Sequence, residues 1–290
     1  MAFALRTHIF AELTSDEIAA ARDDNAIVLV PVGATEQHGP HLPVETDHYL
    51  AENVARRAAP RVEAVPVLVA PTLPYGFSPH HLSHPGTISL RLETYIALIR
   101  DVVRSLVESG FTRIVLINGH GGNNAPLRAM VGEMVTDGWP VGMVDYWAPS
   151  ERQWVADLRG QLKRAGHACE FETALMMALK SDDPAERVRI ESAAATLPPR
   201  VIQPWIAPGG EDDPITANGA AWPPIFQADD CGYYGDPGAA DLASGHRHVE
   251  IVTAGLVAFL EAFCRAPLRL GVSRDPTRPG ASPPPAQRSR

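Results

Sequence analysis

Two stretches of this chain place imidazole and carboxylate side chains directly after an apolar run. The first is Gly33-Ala34-Thr35-Glu36-Gln37-His38-Gly39-Pro40-His41-Leu42-Pro43-Val44-Glu45-Thr46-Asp47, in which His38 lies two residues after Glu36 and nine before Asp47. The second is Asn118-Gly119-His120-Gly121-Gly122-Asn123-Asn124. Neutral imidazole and carboxylate are the donors a catalytic divalent metal ion takes. A third stretch, His167-Ala168-Cys169-Glu170-Phe171-Glu172-Thr173, puts Glu172 five residues after His167, in the first turn of a helical segment 171–179 that could face the same cavity. The glycine-rich run around His120 also suits an anion-binding nest. It lacks both the lysine of a P-loop and the glycine order of a dinucleotide fingerprint. Glycines there equally let backbone approach a buried metal site. A histidine in a loop is more often a surface or structural residue, so Glu45, Glu63, His8, His246 and His248 are given no role.

The elements that must position these residues alternate. Ile27-Val28-Leu29-Val30-Pro31-Val32 is short, apolar and rich in β-branched residues, which suits a strand buried on both faces. Pro31 is a blemish, because it removes one ladder donor. A helix is expected over 47–59, a strand over 65–70, and a long loop over 71–87 holding Tyr75, His80, His81 and His84. The apolar stripe Leu92, Ile96, Ile99, Val103, Leu106 and Val107 predicts a helix over 92–109, stopped by Gly110. Strands follow at 114–117 and 141–144, with a helix between them whose first turn carries Pro126. This alternation predicts a mainly parallel sheet covered on both faces. Strand-end loops are where such sheets place ligands. Prolines crowd 184–236, which reads as an irregular excursion, a lid or an oligomer contact. A last helix is expected over 245–264, and the proline- and arginine-rich 269–290 reads as a disordered tail.

The bulk properties narrow the class. A chain of 290 residues with 45% hydrophobic and 20% charged residues can bury a full core. A formal charge of −9, without a basic cluster, argues against a nucleic-acid partner. Cys169, Cys231 and Cys264 show no CxxC spacing and read as reduced thiols. Residues 1–20 show no secretory pattern and no apolar run is long enough to span a bilayer, so no membrane association and a cytoplasmic location are expected.

The runs GATEQHGPHLPVETD (33–47), HPGTISL (84–90), NGHGGN (118–123), HACEFET (167–173) and GYYGDPGAA (232–240) resemble the creatininase, or creatinine amidohydrolase, family. The resemblance spans roughly 10–265. It implies an α/β fold, a layered α/β/α sandwich around a mainly parallel sheet, formed by one metal hydrolase domain over 1–268. It implies two divalent ions per chain (zinc, manganese or iron), with Glu36, His38, Asp47, His120 and Glu172 in the ligand positions and Asp47 in the bridging one. His167 matches a proton shuttle, and Trp147 an aromatic of the substrate pocket. Glu170 is a second candidate for proton handling or substrate contact. Tyr75, His81 and Lys163 are further substrate-binding candidates. Family members are often hexamers, so a homo-oligomer is expected.

Two departures count against creatinine as substrate. Gly122 stands where creatininase proper has a glutamate, and Gly166 and Lys163 stand where it has a glutamate and a tryptophan. Relatives with the His-Gly-Gly-Asn form include a formylaminopyrimidine deformylase and a peptidase that matures mycofactocin. The reading is therefore a dinuclear metal amidohydrolase that cleaves a C–N bond of a small amide, cyclic amide or formamide. The alternatives are a mycofactocin-type peptidase that trims a short peptide, and a non-catalytic protein that binds a metal or a small molecule. A structural zinc site is usually closed by four Cys or His ligands, which five mixed donors fit poorly.

Overall fold

The computed structural model describes residues 5–201 and 231–267. Four parallel strands form the sheet: β1 (Ile27–Val32), β2 (Val67–Val69), β3 (Ile114–Asn118) and β4 (Val141–Asp145), in the order β2-β1-β3-β4. Every residue of β1, β2 and β3 is buried, as the apolar runs require of strands covered on both faces. Alternate side chains supply two separate cores. Ile27, Leu29, Val115 and Ile117 enter one with α2 (Thr46–Ala58), α6 (Glu170–Leu179) and α8 (Leu242–Arg265). Val28, Val30, Ile114 and Leu116 enter the other with α1 (Ser15–Asp23), α3 (Leu92–Glu108) and α4 (Asn124–Thr136). The protein is thus a three-layer α/β/α sandwich. Among the described residues, no helix is long and apolar enough to cross a membrane.

The strand order has a consequence for ligands. From β1 the chain crosses to β2 on one side, then passes back to β3 on the other. The helices after β1 and β3 pack on opposite faces of the sheet. The loops that follow these two strands therefore diverge over a crevice at the topological switch point, where open α/β sheets bind ligands. The motifs carrying Glu36 and His120 are these two loops.

Pro31 does no harm to its strand. Its carbonyl accepts the Leu73 N–H at 3.0 Å on the side of β2, and β2 has already ended at Val69. The missing donor falls on the β2 side, beyond the residues that β1 and β2 pair. Helix α3 buries Tyr95, Ile99, Val103 and Leu106 and ends at Glu108, two residues before Gly110, whose φ of +93° favours glycine.

Three elements were absent from the sequence reading. Helix α1 begins with a capping box, in which Thr14 receives the Glu17 N–H and Glu17 receives that of Thr14. Helix α5 spans Glu151–Asp157. Helix α7 (Pro184–Ala194) occupies the start of the expected irregular excursion. Pro184 sits in its first turn, where no intrahelical N–H is needed, and the Asp183 side chain caps the helix from Glu186 N–H. The rest of that excursion over 202–230 and the 269–290 tail lie outside the described residues.

Gly119 and Gly33 bring backbone against the start of α2. A Cβ on Gly119 would lie 2.2 Å from the Asp47 carbonyl oxygen and 2.9 Å from Ala51 Cβ. One on Gly33 would lie 2.4 Å from His48 N. Gly119→Ala is expected to lower the thermal midpoint by roughly 3–10 °C, the equivalent of an overpacking cost of about 1–3 kcal/mol. Gly132 in α4 has open space at its Cβ and serves as the control, with Gly132→Ala neutral or slightly stabilising. Scanning calorimetry decides, and equal midpoints for the two variants would show that the close approach is dispensable.

Candidate metal centre

Loop, helix start and strand end deliver the donors to one place. Glu36 and His38 stand in the loop after β1, Asp47 in the first turn of α2, and His120 directly after β3. The loops are clamped by two asparagines of the second motif. The Asn118 amide donates to the His120 carbonyl at 2.8 Å and to Asp145 Oδ1 at 2.7 Å, while Asn118 Oδ1 accepts the His120 N–H at 3.1 Å. Asn123 donates to the Gly33 carbonyl at 3.0 Å and accepts the Phe77 N–H at 2.9 Å, tying three loops together.

The four side chains are almost wholly buried, with Glu36 at 0%, His38 at 1%, and Asp47 and His120 at 3% exposure. Asp47 lies between the two imidazoles, with Oδ1 3.1 Å from His38 Nε2 and Oδ2 3.0 Å from His120 Nδ1. Glu36 Oε1 is 3.2 Å from His120 Nδ1, 3.4 Å from His81 Nε2 and 3.6 Å from His167 Nδ1. These are ion-pair distances, yet both Glu36 oxygens, His38 Nε2 and Asp47 Oδ2 lack a partner with hydrogen-bonding geometry. Donors packed together without mutual hydrogen bonds suit a cation between them.

The imidazole tautomers point the same way. His38 Nδ1 lies 3.2 Å from the Glu36 carbonyl, and His120 Nε2 lies 3.2 Å from the Phe77 carbonyl and 3.1 Å from Ser78 Oγ. Each ring thus donates outward and turns its other nitrogen to the centre, as metal-binding histidines do. Three groups of potential ligand atoms lie within 4.8 Å of one another: Glu36, His38 and Asp47; Glu36, His80 and His120; Glu36, His81 and His167.

Burial and charge act in opposition here. Burial raises the Asp47 carboxyl, but His38 and His120 outweigh it and hold it below the usual carboxylate range. Burial lowers His38, but Asp47 beside it raises the imidazole to about 9. His120 is likewise raised, against burial, by Glu36 and Asp47. The Glu36 carboxyl is raised by burial, and that of Glu172 is pushed by burial up to about 7. Protons on imidazole offset the buried carboxylate charge in the metal-free protein. Divalent ions can take over that task.

The donors open onto a cavity of about 330 Å³ lined by Glu36, Asp47, His80, His81, His120, Trp147, His167 and Glu172, among others. Glu172 lies outside the three donor groups, and its Oε2 also accepts the Cys169 N–H at 3.3 Å. His81 is oriented by Gln37. Gln37 Oε1 accepts the Gly39 N–H at 2.9 Å, which turns the amide nitrogen to His81 Nδ1 at 2.9 Å. His81 Nε2–H then faces Glu36.

Three of the residues expected to handle protons or bind substrate do not reach the cavity. Glu170 is buried, but its two oxygens accept the Arg159 and Gly160 N–H groups, each at 2.8 Å, so it pins a loop. The Lys163 ammonium donates to the Leu158 carbonyl at 2.5 Å. Tyr75 is 44% exposed and is not part of the lining. Conversely, His80 was passed over. It lines the cavity and stacks on His120 with ring centroids 5.7 Å apart. Its position in the segment 78–81 beside His81 was the available signal. The supporting roles of Gln37, Asn118 and Asn123 had no signal beyond their place in the motifs.

Comparison with known proteins agrees with this geometry. The creatininase family, described as creatinine amidohydrolase, matches residues 11–260. The mycofactocin precursor peptide peptidase of Mycobacterium tuberculosis (strain CDC 1551 / Oshkosh) is 34% identical over 245 residues, covering 78% of this chain and 91% of that protein. The creatinine amidohydrolase of Pseudomonas putida is 33% identical over 217 residues, covering 67% and 80%. A crystal structure of creatinine amidohydrolase superposes with a TM-score of 0.71 at 25% identity, covering 91% of this chain and 100% of that one.

The position of Asp47 generates a metal-content prediction. Reconstituted protein is expected to carry about two divalent ions per chain, and Asp47→Asn at most one, because an amide offers a single oxygen donor where the carboxylate faces both imidazoles. Elemental analysis after gel filtration is the measurement. Two ions retained by the variant would remove Asp47 from the bridging position.

Proposed function

This chain belongs to the creatininase family, and we propose that it is a dinuclear divalent-metal amidohydrolase that cleaves a C–N bond of a small amide, cyclic amide or formamide. The observation that carries the reading is the set of buried Glu36, His38 and Asp47 atoms that lack hydrogen-bond partners and face one another and His120. Glu36, His38, Asp47 and His120, with Glu172 beside them, would hold the ions. This mixed carboxylate and imidazole set suits zinc, manganese or iron. When bound, such ions make hydroxide available near neutral pH and polarise the scissile carbonyl.

The rest of the chemistry falls to the protein. His167 Nε2 lies 2.8 Å from the Gln37 carbonyl and 3.0 Å from the Gln37 amide nitrogen; in the tautomer that donates to the carbonyl, Nδ1 is the acceptor nitrogen, 3.6 Å from Glu36 Oε1. Burial, with His81 and His38 close by, holds His167 well below its ordinary pKa. A neutral His167 is suited to accept the proton of the attacking water and pass it to the leaving nitrogen, acting as base and then as acid. Trp147, Tyr146 and Phe171 supply an apolar wall that excludes water and carries the flat part of a substrate.

A second reading is a peptidase that trims a short peptide. It is favoured by the relative named mycofactocin precursor peptide peptidase. A panel of formamides, cyclic amides and short peptides, assayed for amine or formate release, separates the two.

His167→Ala is expected to keep its metal and lose a factor on the order of 10²–10⁴ in rate, as removal of a general acid–base does. The loss should shrink for substrates with good leaving groups, which need less protonation. Equal loss across leaving groups would reassign His167 to ligation or orientation.

Creatinine is expected to be a poor substrate. A side chain on Gly122 would meet His120 Nε2 at 2.3 Å, the Phe77 carbonyl at 2.5 Å and His80 Cε1 at 2.8 Å. One on Gly166 would meet the Tyr234 carbonyl at 2.1 Å. The pocket therefore has no room for carboxylates at these positions. A guanidine substrate would leave its donors buried and unpaired. Turnover of creatinine by zinc-, manganese- and iron-loaded enzyme should stay below about 10⁴ M⁻¹s⁻¹ in kcat/KM, the lower end of the ordinary enzyme range.

A further inference from the structure

Among the described residues, the cavity joins buried carboxylates to a single strong cation at its exposed rim. Arg164 is the one lysine or arginine among its lining residues. Its Nη2 donates to the Tyr234 phenol oxygen at 2.6 Å, and its guanidinium carbon lies 5.6 Å from the Tyr234 ring centre. Tyr234 is itself fixed. It is 6% exposed, and its hydroxyl donates to the Val201 carbonyl at 3.0 Å. Its backbone exchanges two hydrogen bonds with that of His167, at 2.7 and 3.1 Å. The guanidinium is therefore held in register with the residue proposed to move the proton.

Among the described residues, no carboxylate lies at ion-pair distance from Arg164. Its neighbour Arg159 is 2.8 Å from Asp241, and Arg247 is 3.0 Å from Asp157. A guanidinium carries five N–H donors in a planar fork, and the phenol takes one. The remaining donors are available to an oxyanion. Lys163, the expected cation, is turned away to Leu158, so the adjacent residue supplies the charge.

We propose that Arg164 is a specificity-determining residue that binds an oxyanion of the substrate, a carboxylate or a phosphate, while the scissile amide lies against the Glu36–Asp47–His120 donors. The proposal rests on the metal-hydrolase reading above. It sorts substrates by charge. A cationic amide meets Arg164 as a like charge, whereas an anionic one is drawn to the wall and kept away from the three carboxylates of the floor. Recognition across the cavity would also fix the amide in one orientation, which is where much of the rate advantage of a bound substrate originates.

The test uses the full-length, zinc-loaded protein and hydroxamate probes, which anchor on bound metal. Titration calorimetry compares the monohydroxamates of succinic and glutaric acid with their carboxamide counterparts, and phosphonoacetohydroxamate with its neutral dimethyl ester. Wild type is expected to prefer an anionic member about tenfold or more over its neutral counterpart, as a charge-assisted bidentate contact gives. In Arg164→Gln and Arg164→Ala that ratio should fall close to one. Arg164→Lys should keep part of it, since the charge remains without the fork. Tyr234→Phe should lower it by loosening the guanidinium. A larger ratio for the phosphonate than for the carboxylates would identify phosphate as the ligand, and the reverse a carboxylate. Both hydroxamate classes binding wild type equally, or a ratio that survives in Arg164→Gln, would overturn the assignment of Arg164 alone. Failure of every hydroxamate to bind would overturn the metal-hydrolase reading, and this inference with it.

Discussion

Two carboxylates, Glu36 and Asp47, are buried side by side at the end of a parallel sheet, and much of the molecule is arranged around that fact. Burying an ionised carboxylate costs several kcal/mol unless opposite charge and hydrogen bonds offset it. Here imidazoles from two segments provide the offset: His38 from the same loop and His120 after β3. Gly119 and Gly33 remove the side chains that would hold β3 and β1 away from the start of α2. Asn118 and Asn123 then lock the loops through their carbonyls and N–H groups. The sheet order adds the crevice. Because α2 and α4 leave β1 and β3 on opposite faces, the space above these strand ends is open to a ligand.

What could be read from the chain divides along physical lines. Apolar periodicity is set by burial on a regular element, so β1, β3, β4, α2, α3 and α8 were legible within a few residues. So was the convergence of Glu36, His38, Asp47 and His120, because strand ends of a parallel sheet share one side. Helix α7 was missed because prolines were read as breakers, although Pro184 occupies the one turn that tolerates it. Side-chain direction on loops and first turns was not legible. Glu170 and Glu172 stand two residues apart on α6, and two helical steps of about 100° turn them to different sides. One faces the N–H groups of Arg159 and Gly160, the other the cavity. Lys163 and Arg164 differ by one residue in a segment with no period, and no pattern in the sequence decides which enters.

The same division separates chemistry from recognition. The donors stand on strand ends and a helix turn, where packing of both cores fixes the backbone. The groups that line the rest of the cavity stand on loops: Trp147 after β4, Arg164 before α6, and Tyr234 before α8. Loops positioned by a rigid scaffold can change occupant without disturbing it. A family resemblance carried by the donors therefore constrains the reaction far more than the substrate. In this chain the loop residues make the cavity asymmetric, with aromatic surface on one side, carboxylates below and a guanidinium at the rim. Charge neutrality alone orders a ligand in such a space. Two divalent ions held there would more than neutralise the three carboxylates, Arg164 would add its own positive charge at the rim, and the end of a substrate lying there would carry the opposite sign or remain solvated.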